Sequence, residues 1–205
     1  MPEIGRYRLS FSTGGLFVAE SARAAELYVS GRDWDDIQKL LVDRQIVSFK
    51  TISAGHRVAR EIITRLKALS RSELEFLAGA DRENQVNMIW LAVCRTYELI
   101  ADFVAEELNE RLLALRNDLS LAVFESFLVR KSDWHPEIAA LTASTRAKLR
   151  QVLFRMLREA GYYDGRNGLV GAQLSSTFLK FAARNFPNDL VFFPGRHAGH
   201  HKKAG

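Results

Sequence analysis

One cysteine in 205 residues excludes an internal disulfide framework and is compatible with a reducing compartment. Cys94 adjoins the apolar run Met88 to Val93, so it reads as a buried, inert thiol rather than a nucleophile. Long apolar runs are missing as well: none approaches the roughly 18 to 20 residues that span a bilayer. The arginines near the N-terminus are followed by Ser12, Thr13, Gly14 and Gly15 rather than an apolar stretch, so no signal peptide is expected. A soluble, cytoplasmic protein with no membrane partner is the expectation. Also absent are a phosphate-binding P-loop, a nucleophile elbow and a spaced cysteine cluster. Gly165, Gly168 and Gly171 follow a helix instead of opening one after a strand, which makes them turn glycines and not a dinucleotide loop. His56 and His135 stand outside any His-Glu-x-x-His pattern. His197, His200 and His201 lie in a tail, residues 195–205, expected to be flexible and basic. No catalytic residue, metal site or cofactor emerges, and the chain reads as a non-enzyme.

What is present is an ordinary globular composition, 47% hydrophobic and 26% charged, with a net charge of +5. That excess favours an acidic partner, but Arg196, Lys202 and Lys203 supply three of the charges from the tail. Distribution therefore carries more information than the total. The most informative stretch runs from Ser144 to Gly161. Leu149, Val152, Leu153, Met156, Leu157 and Ala160 recur at helical spacing and predict one inward stripe. Arg146, Lys148, Arg150, Arg155 and Arg158 fill the rest of the wheel, with Glu159 as its one carboxylate. A helix anchored by one face and cationic on the other suits phosphate contact, although a solvated charged face has the same pattern.

In chain order, Ser12 and Thr13 predict the cap of a first helix running through Tyr28 and ending at Ser30-Gly31. Gly14-Gly15 is either a tight turn or an anion cradle at that helix start. Asp33 caps a second helix, Trp34 to Arg44, and Ser53 a third with Val58, Ile62, Leu66 and Leu69 inward. Arg57, Arg60, Arg65 and Lys67 surround that stripe, opposed only by Glu61, so helix, turn and cationic helix resemble a helix-turn-helix. Ser72 opens a short helix through Leu77. Asp81 then precedes a long helical pattern from Arg82 to Leu115, expected to be the central scaffold. Ser120 starts another helix, Pro136 enters a short one, and Thr142 to Ser144 turns into the basic helix. After Gly161, the pairs Tyr162-Tyr163 and Leu169-Val170 predict a small β-hairpin, or wing, carrying Arg166 and Asn167. Ser175 or Ser176 opens a last helix exposing Lys180 and Arg184.

These elements predict an all-α helical bundle in four regions. They are a helix-turn-helix-like part (1–71), central scaffold helices (72–118), a winged-helix-like part with its small hairpin (119–194) and the tail. The expected nucleic-acid-binding residues are Arg57, Arg60, Lys67, Arg146, Lys148, Arg150, Arg155, Arg158, Arg166, Asn167, Lys180 and Arg184.

Four blocks carry a resemblance over Tyr7 to Pro194: Leu9-Ser10-Phe11-Ser12-Thr13-Gly14-Gly15-Leu16, Trp90-Leu91-Ala92-Val93-Cys94-Arg95, Ser144 to Gly161, and Phe192-Phe193-Pro194. Together they resemble the BrxA family of the BREX bacteriophage-exclusion systems of bacteria. That resemblance implies a small helical accessory protein of phage defence, compared with the NusB group of RNA-binding antitermination proteins, without catalysis of its own. It transfers no contact residue to any position. The reading that follows is a double-stranded DNA binder within a multi-protein defence complex. The alternatives are an RNA-binding antitermination-like factor, or an assembly adaptor that docks partner proteins through Trp34, Trp134 or the Leu190 to Phe193 patch.

Overall fold

Asp33, Thr51, Ser70, Asp81, Thr142 and Ser175 each accept a backbone amide three residues ahead, so side-chain caps set the starts of most long helices. At Ser70 the cap is reciprocal, because the Glu73 carboxylate returns to the Ser70 amide. Caps at Thr51, Ser70 and Thr142 begin their helices two residues before the serines expected from sequence. The computed structural model describes residues 5–11, 14–166 and 168–196, so Ser12, Thr13, Asn167 and the tail from His197 lie outside the described residues.

Among the described residues the chain forms eleven α-helices: α1 (Val18–Val29), α2 (Trp34–Asp43), α3 (Ile52–Leu66), α4 (Arg71–Gly79), α5 (Arg82–Thr96), α6 (Glu98–Phe103), α7 (Glu110–Leu113), α8 (Leu121–Ser132), α9 (Pro136–Ala139), α10 (Ala143–Glu159) and α11 (Ser176–Asn185). A π-helical turn, Val104–Asn109, joins α6 to α7, and a 3-10 segment, Pro187–Phe192, follows α11. The fold class is all-α. Buried side chains from Tyr7 to Phe193 form one contiguous core. Its centre is α5, whose residues from Met88 to Val93 are fully inaccessible, as expected for a segment apolar on every side.

The long scaffold helix expected from Arg82 to Leu115 is broken at Tyr97. There the backbone leaves the helix (φ −127, ψ 87), while Thr96 Oγ1 bonds back to the Ala92 carbonyl at 2.7 Å. The break delivers the Tyr97 ring edge-on to Phe11 and its hydroxyl to the buried Glu61 carboxylate. Further on, the π turn aims Asn109 inward, where it donates to the Val191 carbonyl and accepts from the Gly195 amide. Trp90 Nε1 also donates to the Phe192 carbonyl at 2.7 Å, which ties the C-terminal segment to α5.

The expected hairpin after Gly161 reduces to one isolated antiparallel bridge, Tyr163 to Leu169, with a second between Asp118 and Gly168. Among the described residues no strand forms. The apolar pairs are too short to build a ladder, and the Asp164 carboxylate takes the Arg166 and Gly168 amides for itself. The chain holds Asp-Trp at two places with different roles: Asp33-Trp34 opens α2, whereas Asp133-Trp134 closes α8.

Candidate nucleic-acid interface

The stripe of α10 is buried as its spacing predicts, and Phe154 joins it, edge-on to Tyr163. That burial fixes the rotation of the helix and so the direction of its cations. They fall into two groups. Near the N-terminal end, Arg146 donates to the Ile138 carbonyl at 3.2 Å, and Arg150 pairs with Glu125 of α8. Lys148 is exposed and has no carboxylate partner among the described residues. At the C-terminal end, Arg155 pairs with Glu159 at 2.7 Å. Arg158 is exposed, again without a carboxylate partner among the described residues, and lies over the Tyr163 ring. A Cβ at Gly165 would stand 3.5 Å from Arg158 Nε, so the structure sets Arg158 against the turn that carries Arg166. The Arg166 and Gly168 amides hold the Asp164 carboxyl below its ordinary range and keep that turn tight.

Glu159 also reaches the glycine loop ahead of α1. Its Oε2 accepts the Leu16 amide at 2.6 Å, so the anion held by this loop is the protein's own carboxylate. From the other side Arg65 donates to the Gly15 carbonyl at 2.8 Å. The C-terminal ends of α3 and α10 therefore meet across a single peptide. Arg82, which the sequence pattern did not single out, lines the same cleft as Arg155 and Glu159.

Arg57, Arg60 and Lys67 are exposed on or just beyond α3, but Arg65, counted with them in the sequence pattern, is buried. Its Nε binds Glu61 at 2.8 Å, and this pair belongs to the core. Arg60 and Arg57 precede Arg65 by five and eight residues, about 7 and 12 Å back along the helix axis. Lys180 and Arg184 are exposed one turn apart on α11, which stacks Phe181 on Phe76 of α4. Asn167 lies outside the described residues, and so do the tail histidines.

Of the apolar docking candidates, Trp34 stacks on Tyr28 and Phe193 is fully buried, with Leu190 and Phe192 packed on the core. Trp134 remains 67% exposed. Burial pushes the Cys94 thiol well up, Asp189 adding to the effect, so this thiol stays protonated.

Residues 5–185 match the family model described as BrxA. The chain belongs to the BrxA family. Proteins named BREX protein BrxA share 29% identity over 74% of this chain and 71% of the relative in Escherichia coli O9:H4 (strain HS). The figures are 24% over 79% and 81% in Bacillus cereus (strain H3081.97). A crystal structure of an uncharacterized protein from Magnetospirillum magneticum has the same fold, with a TM-score of 0.78 at 17% identity, covering 92% of this chain and 97% of that one. The BrxA match includes α10 and its following turn, whereas Phe192-Phe193-Pro194 lies beyond it. Among the described residues no helix is long and apolar enough to cross a membrane, and no group of three His, Cys, Asp or Glu side chains is placed to hold a metal ion.

Proposed function

We propose that this BrxA-family protein is a non-enzymatic, double-stranded DNA-binding accessory component of a bacterial BREX phage-defence system. The observation that carries the reading is α10 itself. One face is locked into the core, and the other presents Lys148 and Arg158, with Arg158 beside the turn of Arg166. In this reading α9 and α10 serve as a helix-turn-helix, the Asp164 to Gly168 turn as a minimal wing, and Arg57, Arg60 and Lys67 as a second basic surface. Lys180 and Arg184 of α11 are further candidate contacts. Arg146, Arg150 and Arg155 bind phosphate by sharing or releasing their present partners.

The most conspicuous polar cluster supports the non-enzymatic part. Lys131 bonds Asp102 and Glu106, and the Tyr7 hydroxyl bonds Asp102. Burial raises the Tyr7 phenol to about 12, helped by Asp102. Lys131 is also pushed up: burial lowers it, but the Asp102 and Glu106 hydrogen bonds prevail. Both groups keep their protons at neutral pH, so neither is an activated base or nucleophile.

The test is binding to a short duplex, with matched RNA as competitor, across a salt series. DNA binding that weakens steeply with salt and resists RNA supports the proposal. Preference for RNA replaces it with the antitermination-like reading. Binding to neither moves the exposed Trp134, and with it an assembly adaptor within the defence complex, to first place.

A further inference from the structure

A cleft of about 360 Å³ opens between the start of α5 and the C-terminal end of α10, and phosphate contact alone does not account for it. Glu83 and Asn87 line it one turn apart on α5, so both face the same way. Arg158 and Glu159 contribute from α10, the latter already bound to Arg155 and the Leu16 amide, Tyr162 from the turn after it, and Gln173 from the segment before α11. Val86 and Val170 supply apolar wall. The volume sits at the small end of ligand pockets, about 300 Å³ and upward, which suits one ring system and its substituent.

Asn87 defines the chemistry. Its side chain is 3% exposed, its Oδ1 accepts the Tyr162 hydroxyl at 3.2 Å, and its Nδ2 has no partner among the described residues. The Tyr162 hydroxyl donates to that oxygen, so the amide lies with its oxygen toward tyrosine and its nitrogen turned away from it. A buried amide donor without an acceptor is costly, and such a group calls for a partner. Beside it the Glu83 carboxylate offers an acceptor, and at the same cleft Arg158 offers a cation with no carboxylate partner among the described residues. Acceptor next to amine on a flat ring, with an anion attached, is the complement of these three groups. Adenine and cytosine present that edge, whereas thymine presents a ring N–H between carbonyls.

We infer that this cleft takes up a single unstacked nucleobase, adenine or cytosine, with its phosphate against Arg158. The inference rests on the nucleic-acid reading of the same face and adds base recognition to it. In a duplex the base must leave the stack to enter, a cost that is smallest at a mismatch or single-stranded site.

The test titrates the ¹⁵N-labelled full chain with dAMP, dCMP, TMP and inorganic phosphate, following the Asn87 side-chain amide and the Gly161 and Gly171 backbone amides by NMR. The expected result is saturable movement of all three with dAMP and dCMP, at least several-fold weaker with TMP. Inorganic phosphate should leave the Asn87 amide unmoved. Gln173→Trp, an exposed change that narrows the mouth, should weaken dAMP by about tenfold or more. Silence with every nucleotide, equal response to TMP, or the same Asn87 movement with phosphate alone overturns the inference. Duplex binding is measured by anisotropy on the same samples. A duplex that binds equally to wild type and Gln173→Trp while the nucleotides stay silent sinks the cleft and keeps the DNA reading. Nucleotide occupancy without duplex binding does the reverse.

Discussion

The Leu16 amide and the Glu159 carboxylate, 143 residues apart in sequence, are joined by a hydrogen bond of 2.6 Å. The same carboxylate neutralises Arg155, so one side chain closes the glycine loop, caps the approach to α1 and reduces the charge of α10. Replacing Glu159 by Ala leaves a buried amide unsatisfied, and the expected loss is about 1–3 kcal/mol in urea unfolding, with faster amide exchange at Leu16. Glu159→Gln, whose oxygen still accepts, should lose less. Gly15→Ala should mimic Glu159→Ala, because its Cβ would fall 2.2 Å from Glu159 Oε2. Unchanged exchange at Leu16 in Glu159→Ala would show that this bond does not hold the loop.

Arg65 is the core's buried cation, 1% exposed and bound to Glu61 and the Gly15 carbonyl. Arg65→Met removes the cation of a buried pair and leaves the Glu61 charge uncompensated, with the Tyr97 hydroxyl as its remaining hydrogen bond, so a loss of about 3–5 kcal/mol is expected. The double variant Arg65→Met, Glu61→Leu should recover part of that, since no charge is left uncompensated, although the buried Tyr97 hydroxyl loses its acceptor. Chemical denaturation of the three proteins decides the matter: a double variant no better than Arg65→Met removes the stranded-charge explanation.

Glu73 couples stability to acid. Burial alone would raise its carboxyl, but hydrogen bonds from Arg95 and the Ser70 amide hold it below the ordinary value of 4.5. A carboxyl depressed in the folded state stabilises the fold above its unfolded pKa and loses that contribution as pH falls through the folded one. Stability should therefore begin to fall near pH 4.5 and continue downward. Glu73→Gln keeps an oxygen for the Ser70 amide but not the charge for Arg95. It should cost about 1–3 kcal/mol at pH 7 and flatten the acid limb of the unfolding profile. An acid limb of unchanged steepness in Glu73→Gln would point to other carboxylates.

The register of α10 was legible because Leu149, Val152, Leu153, Met156 and Leu157 repeat with the helix and leave only one way to turn it inward. The state of its cations was not. Arg150 is neutralised by Glu125, which the chain brings across from α8, and no pattern within α10 announces that partner. Arg65 misled for a related reason: its place in a basic run says nothing of the Glu61 and Gly15 oxygens that accept it in the core. The expectation of one long central helix failed at Tyr97, since periodicity continues through the break and the interactions that favour it come from Phe11 and Glu61. Asn87 was not singled out, because it sits among Glu83, Asn84 and Gln85 at the polar start of α5, and only Tyr162 folded against it gives its amide a direction.

The pairing pattern on α10 separates the cations by their expected effect on DNA. Lys148 and Arg158 face solvent without carboxylates among the described residues, so Lys148→Ala and Arg158→Ala should each weaken binding to all sequences alike. Each should also reduce the slope of log affinity against log salt by about 0.9. Arg150 must share its guanidinium with Glu125, and Arg150→Ala should therefore do less. Glu125→Gln provides the opposite sign: releasing Arg150 should tighten binding and steepen the salt dependence. Anisotropy titrations of the four variants against one duplex test the ranking. Equal losses from Arg150→Ala and Arg158→Ala, with no gain from Glu125→Gln, would mean that ion pairing does not govern which cations reach phosphate, and that the contact lies on another face.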